Sequence, residues 1–592
     1  MKRGVVNALT AAAAVLLAGC VSPGVFDQKA VNRYQEAMAT RGYQPRMGEE
    51  GIDSLRPAPG ATGPALKIVR DEKTGQYAIP LTLDEAIMRA LANNLDIRVV
   101  SFDPSVSREE VTKAAAAFDY VFFARYNFLR SDLEQAAPAS SIIVTPQPNT
   151  VSVPTRTALY EVGLKETTIT GAQWSVTGDL TRVIDDTGTT LLRNSWEPTV
   201  TMQLLQPLLR NAWPEFNLAQ LKITQLNYQI SVEQFRQKVE ETISAVISTY
   251  WRLIQARNGL EIQQRLLDET ITTMKRIVDR IPLDATDVEV KQAEAAVAVR
   301  EASLIQARKT ILDVQDQLAR LLADAQINVL GNYEIIPTTP LNGLQVQIDG
   351  TDQLITALRH NPQLEQARLA IAGADVNVKV SQNQTLPRLD FGASAEWQGL
   401  GGNIHEAFDS FITADFFSYS LGAQFEYPIG NRSAIADLKE KRFQRTKAIA
   451  ILQNLADQVA VALNERIRQI HTTWSQRQAQ EKAVAASRIQ LDALIATEEI
   501  RGRLTPEFLL VKLNAQETLA NAELAALQAL VDYNVAMSDL ALVSGTVLEL
   551  HGVKLALPVV LGEEPWPEGK RGASQSVSPS RANILEKTRN PK

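Results

Sequence analysis

The sequence has few of the residues on which catalysis and metal binding usually depend. Among its 592 residues only Cys20 is a cysteine, so no disulfide can form within one chain. No glycine-rich phosphate-binding loop occurs. Its four histidines are far apart and lack the spacing of metal ligands: His360, His405, His471 and His551. We therefore predict that the chain is not an enzyme and holds no metal or other cofactor.

Long apolar runs and a strong net charge are also missing. No segment after residue 20 has the roughly 18 consecutive apolar residues of a membrane-spanning helix. The net charge is only −7, which gives no reason to expect nucleic acid as a partner. The mature chain is therefore expected either to lie on a membrane or to cross it by strands that alternate in polarity.

The N-terminus has the pattern of a signal peptide. Lys2 and Arg3 precede a short apolar run over Val5–Leu17. The run ends in Leu-Ala-Gly-Cys20, which resembles the lipobox of bacterial lipoproteins and implies an acylated Cys20; an ordinary signal peptide with an incidental cysteine is the alternative. Val21 favours the outer membrane, because an aspartate at this place would resemble an inner-membrane retention signal.

Periodicity and composition divide the chain, and two of its parts are similar. The segments 83–94 and 351–362 share their apolar spacing, as well as alanine, leucine and asparagine at matching places. The predicted parts are a signal peptide (1–19), a lipidated leader and linker (20–79), a first repeat (80–330), an equatorial connection (331–350), a second repeat (351–557) and a disordered tail (558–592).

Each repeat contains an aromatic-rich region of alternating polarity, over 120–206 and 388–427. Tilted strands of about ten residues are long enough to cross a bilayer, although the same pattern could fill the core of a soluble sandwich. The first region is about 40 residues longer than the second and shows an apparent extra hairpin around Thr170-Gly171. We interpret this excess as an external extension; a changed strand count is the alternative.

After each strand region comes a long helix, predicted from Pro207 to about Ile281 and from Pro428 to about Arg501, with Pro214 as an alternative that moves the first start a few residues later. About 75 residues make a helix on the order of 110 Å long. Helices of about 40 residues return from a turn to about Asp324 and about Ser544, and each repeat is predicted to open with a helix of about 35 residues. Together these two match the length of one long helix, so each long helix has room for two shorter ones stacked end to end. A heptad seam indicates that helix packs on helix: Val239, Ile243, Val246, Tyr250, Leu253, Leu260, Leu267, Ile271, Met274, Val278 and Ile281.

The order and duplication of these pieces resemble the TolC-like outer-membrane efflux family over about residues 80–555. The similar pieces are the opening at 83–94, the junction Gln206-Pro207-Leu208-Leu209, the turn Gly502-Arg503-Leu504-Thr505 and the stretch 529–536 followed by Ser544-Gly545-Thr546. The resemblance implies an internally duplicated α+β membrane protein. Three subunits would each give four strands to one transmembrane β-barrel and complete a long α-helical coiled-coil barrel in the periplasm.

The resemblance also implies a function and its sites. A subunit of a tripartite efflux or type I secretion system would passively conduct substrates outward, with a periplasmic adaptor and an inner-membrane pump as partners. A structural periplasmic coiled-coil lipoprotein without channel activity is the alternative. The helix-reversal tips would contact the adaptor through Pro282, Leu283, Thr286, Gly502, Leu504 and Thr505, unless they are plain hairpin turns. Candidates for a pore constriction are Asp284, Asp287, Glu507 and Phe508, of which the acidic ones could equally be favoured by a helix dipole.

Overall fold

Two helical hairpins with unequal arms contain the four longest helices of the described chain. The computed structural model describes residues 69–70, 77–136, 150–185, 192–280, 286–324, 327, 333–501 and 505–554. The predicted signal peptide, nearly all of the leader, and the tail lie outside these residues. The hairpin helices are α5 (Ala219–Asp279) with α6 (Asp287–Leu322), and α10 (Arg432–Arg501) with α11 (Pro506–Ser544).

The four hairpin helices pack on one another. Helix α5 packs on both α6 and α11, α6 also contacts α11, and α11 in turn packs on α10. The heptad prediction is confirmed from Val239 to Leu253, where Val239, Ile243 and Tyr250 are fully buried, but it is wrong near the end of α5, where Val278 is 42% exposed. Burial of this apolar seam, rather than helix propensity alone, stabilises a helix of 61 residues.

Both long helices begin later than predicted. Helix α5 starts at Ala219 rather than at Pro207, and α10 starts at Arg432 rather than at Pro428. Positive φ angles at Asn211 (65°) and Trp213 (75°) precede the first helix, and Gly430 (89°) and Asn431 (39°) precede the second. Left-handed backbone cannot continue into a right-handed helix, so each strand-to-helix junction is a separate turn.

The opening segment of each repeat is a series of short helices rather than one helix. The helices of the first repeat are α1 (Leu83–Asn93), α2 (Leu95–Val100) and α3 (Phe102–Ala115); those of the second are α7 (Gly350–His360) and α8 (Pro362–Gln384). Helices α3 and α6 both pack on α5, and α8 and α11 both pack on α10. Two shorter helices thus lie beside each long one, as the helix lengths predicted.

The matching asparagines of the two repeats make the same contacts. The Asn94 side chain accepts a hydrogen bond from the Ile97 amide and donates one to the Leu321 carbonyl, at 3.0 and 2.7 Å. In the second repeat, the Asn361 side chain accepts from the Gln363 amide at 3.0 Å and donates to the Val543 carbonyl at 3.0 Å. Each asparagine therefore caps a short helix and ties it to the last turn of the return helix.

The strand regions form one antiparallel sheet in the order β3-β4-β5-β6-β8-β9. Its strands are β3 (Val121–Ala136), β4 (Thr150–Thr167), β5 (Gln173–Asp185), β6 (Asn194–Pro207), β8 (Arg388–Gln398) and β9 (Phe417–Glu426). A smaller sheet, β1 (Val69–Arg70), β2 (Tyr77–Leu81) and β7 (Tyr333–Pro337), lies against α5. Three short α-helices, α4 (Pro214–Asn217), α9 (Ile404–Thr413) and α12 (Val547–Leu550), and a 3₁₀ helix over Ala116–Phe118 complete the described part of the chain.

The strand count corrects two expectations. The predicted hairpin turn at Thr170-Gly171 is present, but β4 and β5 are members of the main sheet and not an external extension. The subunit therefore supplies six strands where the family resemblance implied four. The soluble-sandwich interpretation is also wrong for the described residues, because no second large sheet packs on the first.

Candidate functional site

Over its middle rows the main sheet has one apolar and one polar face, whereas at the end away from the helices the first of these faces also carries Arg130, Arg156 and Arg182. Directly opposite residues of neighbouring strands share a face, so the strand register places complete rows of side chains across all six strands. One row of the apolar face is Phe122, Leu164, Val176, Met202, Ala395 and Tyr419, and the next is Ala124, Val162, Gly178, Val200, Trp397 and Phe417. In these two rows, no charged or amide side chain occurs across the full width of the sheet.

Large apolar side chains of this face are exposed. Phe122 is 63% exposed, Tyr126 60% and Tyr419 72%. A soluble sheet would cover such a face with a second layer, and a contiguous exposed apolar face marks contact with a partner or a membrane. Strands that alternate apolar and polar residues, with aromatic residues on the apolar side, are typical of membrane-spanning strands.

The opposite face is polar. One of its rows is Val121, Lys165, Ser175, Gln203, Ser394 and Ser420, and a hollow of about 760 Å³ lies against these strands. The Ser394 and Ser420 hydroxyls bond each other across β8 and β9 at 2.8 Å. Seven acidic and three basic side chains lie on this face: Glu161, Asp179, Asp185, Glu197, Asp390, Glu396 and Glu426, with Arg125, Lys165 and Arg388. The polar face is therefore net acidic.

At its helical end the sheet is anchored to the start of α5. The β4–β5 turn passes close to this junction, where the Trp213 amide donates to the Thr170 carbonyl at 3.1 Å. Gly171 has φ +88°, and a Cβ there would lie 2.6 Å from the Asn211 carbonyl oxygen. From α8, the Asn383 side chain accepts from the Asn211 amide at 2.7 Å. Strands and helices are thus joined by polar backbone contacts.

At the first tip, two of the predicted residues lie in the first turn of α6. Thr286 is the N-cap, and its amide donates to Glu289 Oε2 at 2.7 Å in a capping box. Asp287 is exposed in the first turn, where the helix dipole favours a negative charge. Pro282, Leu283 and Asp284 lie outside the described residues.

At the second tip, the pattern is the same. The Thr505 hydroxyl caps α11 by accepting from the Phe508 amide at 3.3 Å, and Glu507 is exposed in the first turn. Phe508 is half-buried, whereas the next residue, Leu509, is 1% exposed. Leu509 packs with Ile277, Ala293 and Leu513, which joins the two hairpins below their tips. Gly502 and Leu504 lie outside the described residues.

Buried charges near the tips were not predicted. Arg300 of α6 donates to the Leu513 carbonyl of α11 at 2.9 Å, and burial lowers the pKa of its guanidinium. Lys512 is 3% exposed and forms an ion pair with Glu498. The buried position of Arg300 could have been predicted from the sequence, because Arg300 lies seven residues after the buried Ala293, which is one heptad.

Further predictions concern residues at or beyond the limits of this structure. Cys20 lies outside the described residues, so its acylation stays a prediction. Within the described ranges, no group of three or more histidine, cysteine, aspartate or glutamate side chains could hold a metal ion. Of the helices that the structure describes, none combines the length and apolar character needed to cross a membrane.

Sequence comparison identifies relatives among export proteins. No family model matches the chain. Outer membrane efflux protein BepC of Brucella suis is 24% identical over 355 residues, which cover 59% of this chain and 72% of BepC. The alkaline protease secretion protein AprF of Pseudomonas aeruginosa is 23% identical over 368 residues, covering 61% of this chain and 72% of AprF. These relatives are transport proteins and not enzymes.

Structure comparison agrees on the fold. The outer membrane protein VceC of Vibrio cholerae is 16% identical and superposes with a TM-score of 0.55, over 78% of this chain and 96% of VceC. VceC is one of several TolC-like channels with this combination of helices and sheet. In sequence and fold the chain is therefore similar to the TolC-like outer-membrane efflux proteins, through its doubled helical hairpins, its two-faced sheet and the named relatives.

Proposed function

We propose that this chain is one subunit of a passive export duct, in which the main sheet crosses the outer membrane and the helices extend into the periplasm. The observation that carries this proposal is the two-faced sheet. Its exposed apolar face suits lipid, and its polar, net acidic face suits a water-filled path. Helix α10, with 70 residues, spans about 105 Å at 1.5 Å per residue, which is far beyond the membrane.

A single subunit cannot enclose such a path. The sheet is open, with β3 and β9 as its edges, and unpaired edge groups cannot face lipid without a large cost in free energy. The outer helices α6 and α10 also expose apolar side chains, including Val299 (66%), Ile305 (67%), Phe443 (75%) and Ile489 (69%). These features favour closure by further copies, and a homotrimer is the assembly that the family resemblance implies.

The duct needs partners that supply energy. Because the sequence has no phosphate-binding loop, the driving force would come from an inner-membrane pump through a periplasmic adaptor. The adaptor would contact the tips, at Pro282, Leu283, Thr286, Gly502, Leu504 and Thr505. The capping roles of Thr286 and Thr505 are compatible with plain hairpin turns, so adaptor binding must be tested with the exposed tip residues themselves.

A constriction at the tips is the next part of this proposal. Asp284, Asp287, Glu507 and Phe508 would narrow the path where three subunits meet. Replacing Phe508 with alanine should raise single-channel conductance if its ring lies in the pore. Phe508→Leu is the matched control that keeps an apolar side chain, and an unchanged conductance in Phe508→Ala would exclude this residue as the constriction.

The anchor is a separate proposal. Acylated Cys20 would hold the leader in the outer membrane, where it supplements the sheet. Wild-type protein from cells grown with radioactive palmitate should carry the label, and Cys20→Ala from the same cells should carry none. Label that persists in Cys20→Ala would contradict acylation at this residue.

The decisive experiment measures the oligomeric mass and the channel conductance of the same sample. Purified protein in detergent should have the mass of a trimer, and the same sample should form ion-conducting pores in planar lipid bilayers. A monomer without conductance would contradict the duct and favour the alternative, a structural periplasmic coiled-coil lipoprotein.

A further inference from the structure

The two edges of the main sheet are complementary. Strand β3 leaves the helical end of the sheet after α3, and β9 returns to that end just before α10. They therefore run in opposite directions, as antiparallel pairing requires. Each also has the same division into an apolar and a polar face, because the register is continuous from β3 to β9.

Strand β3 is held in the sheet by side chains on both faces. On the apolar face, the rings of Tyr126 and Tyr160 lie 4.9 Å apart across β3 and β4. On the polar face, Arg125 forms an ion pair with Glu161 of β4. The Phe123 ring lies over Gly163, where an added Cβ would come within 2.7 Å of it. Such cross-strand pairs are the units that stabilise a sheet.

Strand β5 is held equally well on its two sides. The Trp174 indole donates to Glu166 of β4 at 2.8 Å. The Arg182 guanidinium lies 5.0 Å from the Trp196 ring of β6, in cation–π geometry. The β4–β5 turn is fixed at the strand-to-helix junction by the contact between Thr170 and Trp213. The added hairpin is therefore part of the wall and not a flap beside it.

From these contacts we infer that β9 of one copy pairs with β3 of the next, so that three copies close a wall of eighteen strands rather than the family's twelve. The inference rests on the proposed trimeric duct and goes beyond it in assigning the edge that each copy presents. Barrel diameter grows roughly linearly with strand number, so this wall would be about 1.5 times as wide as one of twelve strands. Barrels of about 16–18 strands hold an aqueous channel.

A competing closure makes the inference testable. Strand β5 runs in the same direction as β3, so β9 could instead pair with β5 of the next copy and leave β3 and β4 outside a twelve-stranded wall. That closure would break the β4–β5 pairs described above. The two arrangements place different strands beside β9 of the neighbour.

Cysteine cross-linking distinguishes the two closures. We would combine Leu421→Cys in β9 with one cysteine in β3, at Phe122, Ala124 or Tyr126. The matched set in β5 lies in the same rows of the apolar face, at Val176, Gly178 and Leu180. Three positions in each strand allow for an unknown register between subunits. Because Cys20 is the only natural cysteine, the Leu421→Cys single variant measures the background.

After oxidation in full-length protein of trimer mass, we expect covalent dimers and trimers on non-reducing gels from at least one β3 pair and from no β5 pair. Linkage through β5, or no linkage from either set in a trimer, would overturn the eighteen-stranded wall while leaving the duct intact. A native mass that is monomeric before oxidation would instead overturn the proposed function. Failure of a single variant to fold is covered by the other two positions of its set.

Discussion

Single asparagine side chains join stacked helices in both repeats. Asn361 is 7% exposed and both caps α8 and bonds the Val543 carbonyl of α11. Loss of a cap together with a buried hydrogen bond costs about 2 kcal/mol. We therefore expect Asn361→Ala to lower the free energy of unfolding by about that amount, and Asn361→Asp, which keeps the cap acceptor, to lower it less.

Urea unfolding followed by circular dichroism would measure these differences. The matched control is Asn403→Ala, which removes the cap of the short helix α9 but no bond to a return helix. Equal effects of Asn361→Ala and Asn403→Ala would mean that the tie between stacked helices contributes nothing.

A buried carboxyl in α5 should make stability depend on pH. Glu240 is 1% exposed, and desolvation raises its pKa although the nearby Arg236 opposes this shift. A raised pKa means that the folded state holds the proton more tightly than the unfolded state. Proton binding at Glu240 therefore stabilises the folded state. This stabilisation is fully present below the pKa that Glu240 has in the unfolded chain, and it is lost as the pH rises through the pKa of the folded state.

We expect Glu240→Gln to raise the melting temperature at pH 7.5 by on the order of 1–2 °C, with a smaller difference near pH 4.5. Thermal melts at the two pH values would measure this. Glu241→Gln, an exposed substitution in the same turn, is the control and should change neither melt. A lower melting temperature for Glu240→Gln at pH 7.5 would show that the Arg236 pair outweighs burial.

Among the elements, the β4–β5 turn depends most clearly on a single backbone conformation, the positive φ angle of Gly171. Gly171 has φ +88° and no room for a Cβ beside Asn211. We expect Gly171→Ala to cost about 2 kcal/mol locally, because an L side chain is strained there and clashes with backbone. Hydrogen exchange read by mass spectrometry should then be faster over residues 160–180 and unchanged in α10.

The control for this substitution lies in the same hairpin. Gly178→Ala places a Cβ about 3.9 Å from its nearest neighbour, which is ordinary contact. Faster exchange in Gly178→Ala but not in Gly171→Ala would contradict the turn's anchoring role.

The elements differ in how well the sequence predicts them. Helical periodicity is local, so the long helices, the return helices and the buried seam around Tyr250 were predictable. The helix starts were placed too early, because positive φ at Trp213 and Asn431 depends on contacts from other elements. Strand pairing is non-local, and only the register shows that β4 and β5 join the sheet. At the tips, Thr286 and Thr505 were predictable as turn residues, but not Lys512 as a buried cation.

For the whole molecule, the charge of the polar face predicts ion preference. Substituting Glu197→Gln and Glu396→Gln together changes this face from −4 to −2 in each subunit, counted over the ten charged side chains named for it. A less acidic wall attracts cations less, so the ratio of cation to anion permeability should fall on the order of twofold. Reversal potentials in a KCl gradient would measure it. Thr201→Val, in the same row as Glu396, is the neutral control, and an equal fall there would contradict an electrostatic origin.

Removal of residues 150–185 tests the width of the whole assembly. Without β4 and β5, β3 would meet β6 with Val121 opposite Gln203, which keeps each face continuous. We expect this variant to form a trimer with a narrower outer opening. The largest neutral polymer that can enter it should be about 1.5 times smaller in diameter than the largest that enters the wild type. An unchanged cut-off in a trimeric deletion variant would mean that the two strands do not widen the path.

The continuous register limits how such a subunit can change in size. Adding one strand would reverse the direction of every strand after it, so β9 would end at the wrong side of the membrane and could not lead into α10. Adding a hairpin restores the direction and, with the matched pairing of Lys165 with Ser175, leaves every later side chain on its original face. The circumference of this architecture can therefore grow only in steps of two strands per subunit, which is six per trimer.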